Sequence, residues 1–287
     1  KFIFSSNSIN SNENDIVNYA DFVSYPVTLY IYDPACGGVE ESFTLTINET
    51  PIIDPIGPYV VCDSVQLPTI AGTLSGNEGF YSGTGGTGTQ FNTGDWISSS
   101  MTIYAYDSTT STPTCWDEEI ISITVNVSPI LSPINDTVVC DAVVLPNILG
   151  TTSGNEAYYT GPGGTGTAYA EGATINYADF GAYPITLYAY DSTTSTPSCF
   201  DEEFFQLTIN LSPVLNPIND TVVCDAVVLP NILGTTTGNE AYYTGPGGTG
   251  TAYAEGATIN YADFGAYPIT LYAYESTTST PTCFDEE

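Results

Sequence analysis

Hydrophobic and polar residues alternate with a period of two along much of this chain. In Phe205-Gln206-Leu207-Thr208-Ile209-Asn210-Leu211 every second side chain is apolar, so one face of an extended segment is greasy and the other polar. Ile121, Ile123, Val125 and Val127 repeat the pattern, as do Phe43, Leu45 and Ile47. The segment before it alternates as well, with Ile185, Leu187 and Ala189 on one face and Thr186, Tyr188 and Tyr190 on the other. Between the two lies STTSTPS, rich in turn formers. Upstream, VVCDAVVLP and EAYYTG read as short strands and GPGGTGT as loop, and no helical period stands out. Short strands separated by turn signals predict an all-β sandwich.

The same pattern recurs at fixed offset. Cys140 to Cys199 returns as Cys224 to Cys283, 84 residues on, and over 60 positions only Ser153/Thr237, Asp191/Glu275 and Ser198/Thr282 differ. A more diverged copy from Cys62 to Cys115 is six residues shorter. The first fifty residues match only the second half of a repeat, and the last copy stops at Asp285-Glu286-Glu287, so the chain reads as a window on a longer array. The expected divisions are 1–50, the C-terminal part of a repeat; 51–129, the shorter copy; 130–213, a full repeat; and 214–287, a repeat lacking its last strand.

Cysteine spacing suggests one disulfide per repeat. In-repeat spacings are 53, 59 and 59, and between-repeat spacings 25 or 26, which favours Cys62–Cys115, Cys140–Cys199 and Cys224–Cys283 and leaves Cys36 unpaired in this window. Disulfides imply an oxidising compartment. Asp179-Phe180-Gly181-Ala182-Tyr183 has the D-x-G-x-Y form that introduces the penultimate strand of Ig-like domains, recurring at Asp263 to Tyr267 and loosely at Asp21 to Tyr25. The repeats are joined by short proline-flanked segments, NETPIIDPIGP, VSPILSPIND and LSPVLNPIND. Such joints are semi-rigid, so the expectation is a rod-like tandem array of Ig-like β-sandwich domains.

Composition removes most other functions. There are 33 acidic residues, one basic residue and no histidine, for a formal charge of −32. Nothing can clamp phosphates, so nucleic acid is excluded as a partner, and an anionic membrane surface would repel the chain. The usual catalytic bases are missing, near-identical tandem copies argue against a single active site, and the chain is expected to be no enzyme. No stretch reaches the ~18–20 apolar residues of a membrane span, so no membrane insertion is expected. With 42% hydrophobic and 13% aromatic residues it nevertheless builds cores.

Three features could carry chemistry. An in-repeat disulfide would draw Asp141 towards Asp201, Glu202 and Glu203, and Asp63 towards Asp117, Glu118 and Glu119, with Asp225 and Asp285-Glu286-Glu287 offering a third set. Uncompensated carboxylates suit Ca²⁺, the one candidate cofactor, although a solvated acidic edge explains the same residues and no DxDxDG loop is present. Tyr158-Tyr159 and Tyr242-Tyr243 beside glycines could form a sugar platform, or could simply pack in the core. The glycine-rich GPGGTGT lacks the lysine and following helix of a phosphate loop.

The combination CDxxxLP, GxxxYYTGPGGTGT, LYAYDSTTSTPxC and a closing xLTIN strand resembles the repeats of very large cell-surface proteins of Bacteroidota, exported by the type IX secretion system and including gliding-motility adhesins. The resemblance implies an extracellular, cell-surface location, contact with the secretion machinery during export, and an adhesive or filamentous role. Asp63-Ser64-Val65, Asp107-Ser108-Thr109, Asp136-Thr137-Val138, Asp191-Ser192-Thr193 and Asp220-Thr221-Val222 resemble the O-glycosylation acceptors of that phylum, at Ser64, Ser108, Thr137, Ser192 and Thr221, whereas Glu275 breaks the pattern. The expected role is a structural stalk whose partners are the neighbouring repeats; the alternative is a set of weak glycan-binding modules acting on surface polysaccharide by avidity.

Overall fold

The computed structural model describes residues 2–4, 10–11, 16–22, 24–33 and 39–287. Among them there is no α-helix, only strands and short 3₁₀ turns, and no helix long and apolar enough to cross a membrane. The chain divides into two compact units, 1–127 with 195–197, and 128–194 with 198–287.

The second unit contains the clearest repeat. Its main sheet has five strands in the order Thr137–Cys140, Phe200–Asn210, Ile185–Ser192, Ala157–Gly161, Thr165–Tyr169. Opposite it lie two small ladders, Ile130–Leu131 with Gly150–Thr151 and Ala142–Val144 with Thr174–Asn176. Leu187 and Ala189 from one long strand and Phe205, Leu207 and Ile209 from its neighbour face inward with Tyr158, Ile175 and Leu145, all buried. This is the Ig-like sandwich that the alternation predicts, with polar and aromatic residues left outside. The edge strand Thr137–Cys140 runs parallel to the end of the closing strand, placing Cys140 opposite Asn210. Asp141 then turns the chain with φ +60, a left-handed conformation that aspartate tolerates, and its N–H donates to Asn210 O at 2.8 Å.

Residues 214–287 repeat this layout around Leu215, Leu229, Ile232, Tyr242 and Ile259. Their main sheet has four strands, ending in Phe284–Glu286. Residues 221–224 form no strand, and Val222 is fully exposed. Two of the three differences between Cys140–Cys199 and Cys224–Cys283 touch each other. Asp191, wholly buried, accepts from Ser153 N–H (2.6 Å) and Ser153 Oγ (2.5 Å), whereas Glu275 accepts from Thr237 N–H and Thr237 Oγ1 through a single oxygen. The longer acid comes with the bulkier alcohol.

In the first unit, residues 52–126 follow the same strand order, Tyr59–Cys62 parallel to Trp116–Asn126, then Met101–Ser108, Gly79–Gly83 and Thr87–Phe91. Phe80, Ile103, Ile121 and Ile123 form the core. Val27–Asp33 and Val39–Leu45 form the described hairpin of the first fifty residues, with Val27 and Leu29 buried. Tyrosine corners are present where the sequence places them. The hydroxyls of Tyr25, Tyr183 and Tyr267 donate to the carbonyls of Asn18, Asn176 and Asn260 at 3.0, 3.1 and 3.0 Å.

Cysteine pairing differs from the in-repeat expectation. Cys140 bonds Cys283, 143 residues away and in the next repeat, with Cα atoms 5.7 Å apart. Cys62 and Cys199 are also disulfide-bonded, while Cys115 and Cys224 are free thiols. Cys36 lies outside the described residues. Geometry explains the correction. Cys140 sits beside Asn210 at one end of the closing strand, and Cys199 immediately precedes Phe200 at the other. An eleven-residue strand spans about 35 Å, whereas a disulfide needs Cα atoms within roughly 7 Å. Cys62 beside Asn126 and Cys115 before Trp116 are separated in the same way. In the chain-entropy picture, closing the Cys140–Cys283 loop is worth about 5 kcal/mol.

Candidate functional site

Strand periodicity decides where the acidic residues go. Along Phe200–Asn210, Asp201 and Glu203 lie on one face of the sheet and Glu202 on the other, so the Asp-Glu-Glu run cannot close on one ion. Asp201 accepts the N–H of Leu131 in the joint at 2.7 Å, and Asp117 and Asp285 do the same for Ile53 (2.8 Å) and Leu215 (2.7 Å). Asp141 accepts from Ser212 N–H (2.8 Å) and Ser212 Oγ (2.6 Å). With Cys140 bonded elsewhere, nothing draws Asp141 to Asp201, Glu202 and Glu203. Among the described residues no group of three or more His, Cys, Asp or Glu side chains could hold a metal, and the calcium candidates, Asp63, Glu118 and Glu119 included, are not brought together.

Glu202 does something else. On the outer face its carboxylate accepts the N–H of Gly163 in the glycine-rich loop at 2.5 Å. Beside it Gly164, with φ +68, lies so close to Tyr190 that a Cβ would meet the ring at 3.0 Å. Only glycine fits there. Tyr190 stacks on Phe200 (centroids 5.6 Å) and meets Tyr159 edge-on (5.9 Å). Glu118 with Gly85, and Tyr81, Tyr106 and Trp116, build the equivalent patch one repeat earlier; Glu286 with Gly247, and Tyr243, Tyr274 and Phe284, build it one repeat later. Trp116, Phe200 and Phe284 are 55, 58 and 55% exposed. Each of the three larger repeats thus offers one exposed aromatic ring on a tyrosine pair, backed by a glycine loop and a carboxylate.

The tyrosine pairs named from the sequence split between two faces, with Tyr159 and Tyr243 in the outer patch. Tyr158 and Tyr242 are core residues, their hydroxyls donating to Pro146 O (3.2 Å) and Pro230 O (3.1 Å). Burial, and then the charge of Glu171, push the Tyr158 hydroxyl up to about 12. The outer patch was legible only as a joint period-two pattern, Tyr188 and Tyr190 with Phe200 and Glu202 across the hairpin.

The acceptor-like hydroxyls are unevenly available. Ser108 and Ser192 end strands next to the buried Asp107 and Asp191, Ser64 and Thr137 are half-buried, and Thr221 is exposed. In Asp107-Ser108 and Asp191-Ser192 the aspartate serves the fold, since Asp107 accepts from Ser75 just as Asp191 does from Ser153.

No family model and no curated protein matches the chain. Among solved structures it is similar to the four-domain ICAM-5 ectodomain fragment (9% identity, 91% of this chain, 80% of that one, TM-score 0.39). It is also similar to the N-terminal eight Ig domains of the Down syndrome cell adhesion molecule (10%, 100% and 49%, TM-score 0.33), and to mouse cadherin-23 EC22-24 (13%, 83% and 97%, TM-score 0.26). Similarity at this level carries no statement about function; the Ig-like sandwich stands on strand order and tyrosine corners.

Proposed function

We propose that the chain is a non-enzymatic, extracellular structural segment, a run of Ig-like sandwiches that holds something else at a distance from a cell surface. The observation that carries this is where the polar chemistry goes. In each of the three larger repeats a strand aspartate ties down a joint N–H, at Ile53, Leu131 and Leu215, and Asp141 ties Ser212 in the following joint. Joints fixed to their own domains make spacers rather than swivels. Disulfides agree with an oxidising, extracellular setting. The resemblance to type IX-exported gliding adhesins makes a stalk of such a surface protein the specific form of the proposal.

The exposed aromatic patches favour a second role, weak glycan binding repeated along the array. A polysaccharide pull-down comparing the chain with its Trp116→Ala/Phe200→Ala/Phe284→Ala variant tests both. A spacer retains no polysaccharide in either form. Retention that the triple variant abolishes would replace the spacer with an adhesive array.

A further inference from the structure

We propose that the disulfides of this protein form a one-way ladder, from the first cysteine of each repeat to the second cysteine of the next, and that Cys115 and Cys224 are its coupling thiols. The register follows from where the fold puts each sulfur. The first cysteine is carried opposite the last residue of the closing strand, Cys62 opposite Asn126 and Cys140 opposite Asn210. The second cysteine lies in the T-x-C loop at the start of the closing strand, the opposite pole of the sandwich. The end of one repeat therefore meets the loop of the next.

Three joints show this meeting at different stages. At the last, Cys140 is bonded to Cys283. At the middle one, Asn126, which faces Cys62, reaches Pro197, two residues before Cys199, through its side-chain amide at 3.5 Å. At the first, Asn48 Nδ2 donates to Pro113 O at 3.0 Å, and the Cys115 thiol reaches Asn48 O at 3.8 Å. Asn48 aligns with Asn210, so Cys115 stands where Cys283 stands beside Cys140. Within residues 1–50 the one cysteine, Cys36, is by alignment a second cysteine, so this sequence holds no first cysteine of a preceding repeat for Cys115; after Cys224 it holds only Cys283, already bonded. A ladder leaves Cys115 and Cys224 open, together with Cys36, whereas in-repeat pairing would leave neither Cys115 nor Cys224 open. Each takes a repeat of this same kind as partner.

The chemistry is thiol–disulfide exchange with a small-molecule or protein disulfide as oxidant. One cysteine thiolate attacks it, releasing a thiol and forming a mixed disulfide. The second cysteine thiolate displaces the other half as a second thiol. The cysteine pair loses two protons and two electrons, and the oxidant gains them.

The test is alkylation and peptide mapping without reductant. In the chain itself Cys115 and Cys224 should alkylate and Cys140–Cys283 should be recovered as one linked peptide. Cys140→Ser should newly expose Cys283 and not Cys199. Appending a second copy of residues 204–287 after Glu287 adds one full period; in a glutathione redox buffer Cys224 should then lose its thiol to the second cysteine of the added repeat, and the added first cysteine should become the alkylated one. Recovery of a Cys140–Cys199 peptide, or a Cys224 still fully alkylated in the lengthened chain, would overturn the ladder.

Discussion

The repeats at 51–129 and 130–213 share a strand order but not an interior. At the centre of the first sits Phe80, and at the same place in the second Tyr158, whose hydroxyl must find Pro146 O. The second has a tyrosine corner at Tyr183; the first has Trp96 and Ile97 pairing with Val65 and Gln66 and no corner. What does not change lies at the ends and on the outer face: the carboxylate cage of Ser75 and Ser153, the joint N–H held by Asp117 and Asp201, the glycine loop held by Glu118 and Glu202. Interiors tolerate exchange so long as volume and polarity are satisfied. Joints and loops depend on single hydrogen bonds with fixed geometry.

The largest effect should come from the shared cage. Asp107→Ala and Asp191→Ala each strand a serine N–H and hydroxyl against a buried strand end, and should destabilise their repeats by about 3 kcal/mol apiece, read by chemical denaturation. Equal losses in the two repeats would confirm that the ends are built alike. Next comes pH. The Tyr158 hydroxyl is raised to about 12 in the folded protein from about 10 unfolded. A raised pKa stabilises fully below pH 10 and is lost as pH climbs through 12, so repeat 130–213 should lose about 2 kcal/mol by pH 12. Repeat 51–129, with Phe80, lacks this contribution, and Tyr158→Phe should remove it. The smallest is the corner: Tyr183→Phe should cost about 1 kcal/mol, with nothing to lose at the matching place in 51–129.

Much of this was legible in the chain. Period-two alternation located the long strands and their inward residues, because a strand has no other way to sort Phe205, Leu207 and Ile209 from Gln206 and Thr208. The D-x-G-x-Y motif located the corners. Disulfide pairing was not legible, since linear spacing hides the fact that Cys140 and Cys199 occupy opposite poles of one sandwich. That separation depends on the parallel pairing of Thr137–Cys140 with Leu207–Asn210, a contact between segments 70 residues apart. The expected convergence of Asp141 with Asp201, Glu202 and Glu203 was not legible either, because three consecutive acids on a strand point alternately to two faces. The outer aromatic patch was visible only once the register set Tyr190 beside Glu202 and Ser192 beside Phe200.

The central claim is that a repeat contributes reach rather than a site. In-frame removal of residues 130–213 from the full-length protein in its native host, followed by electron microscopy and an attachment assay, tests it directly. A spacer predicts filaments shorter by one sandwich, roughly 35 Å, with attachment little changed. Loss of attachment, with the shortened protein still displayed on the surface, would contradict it.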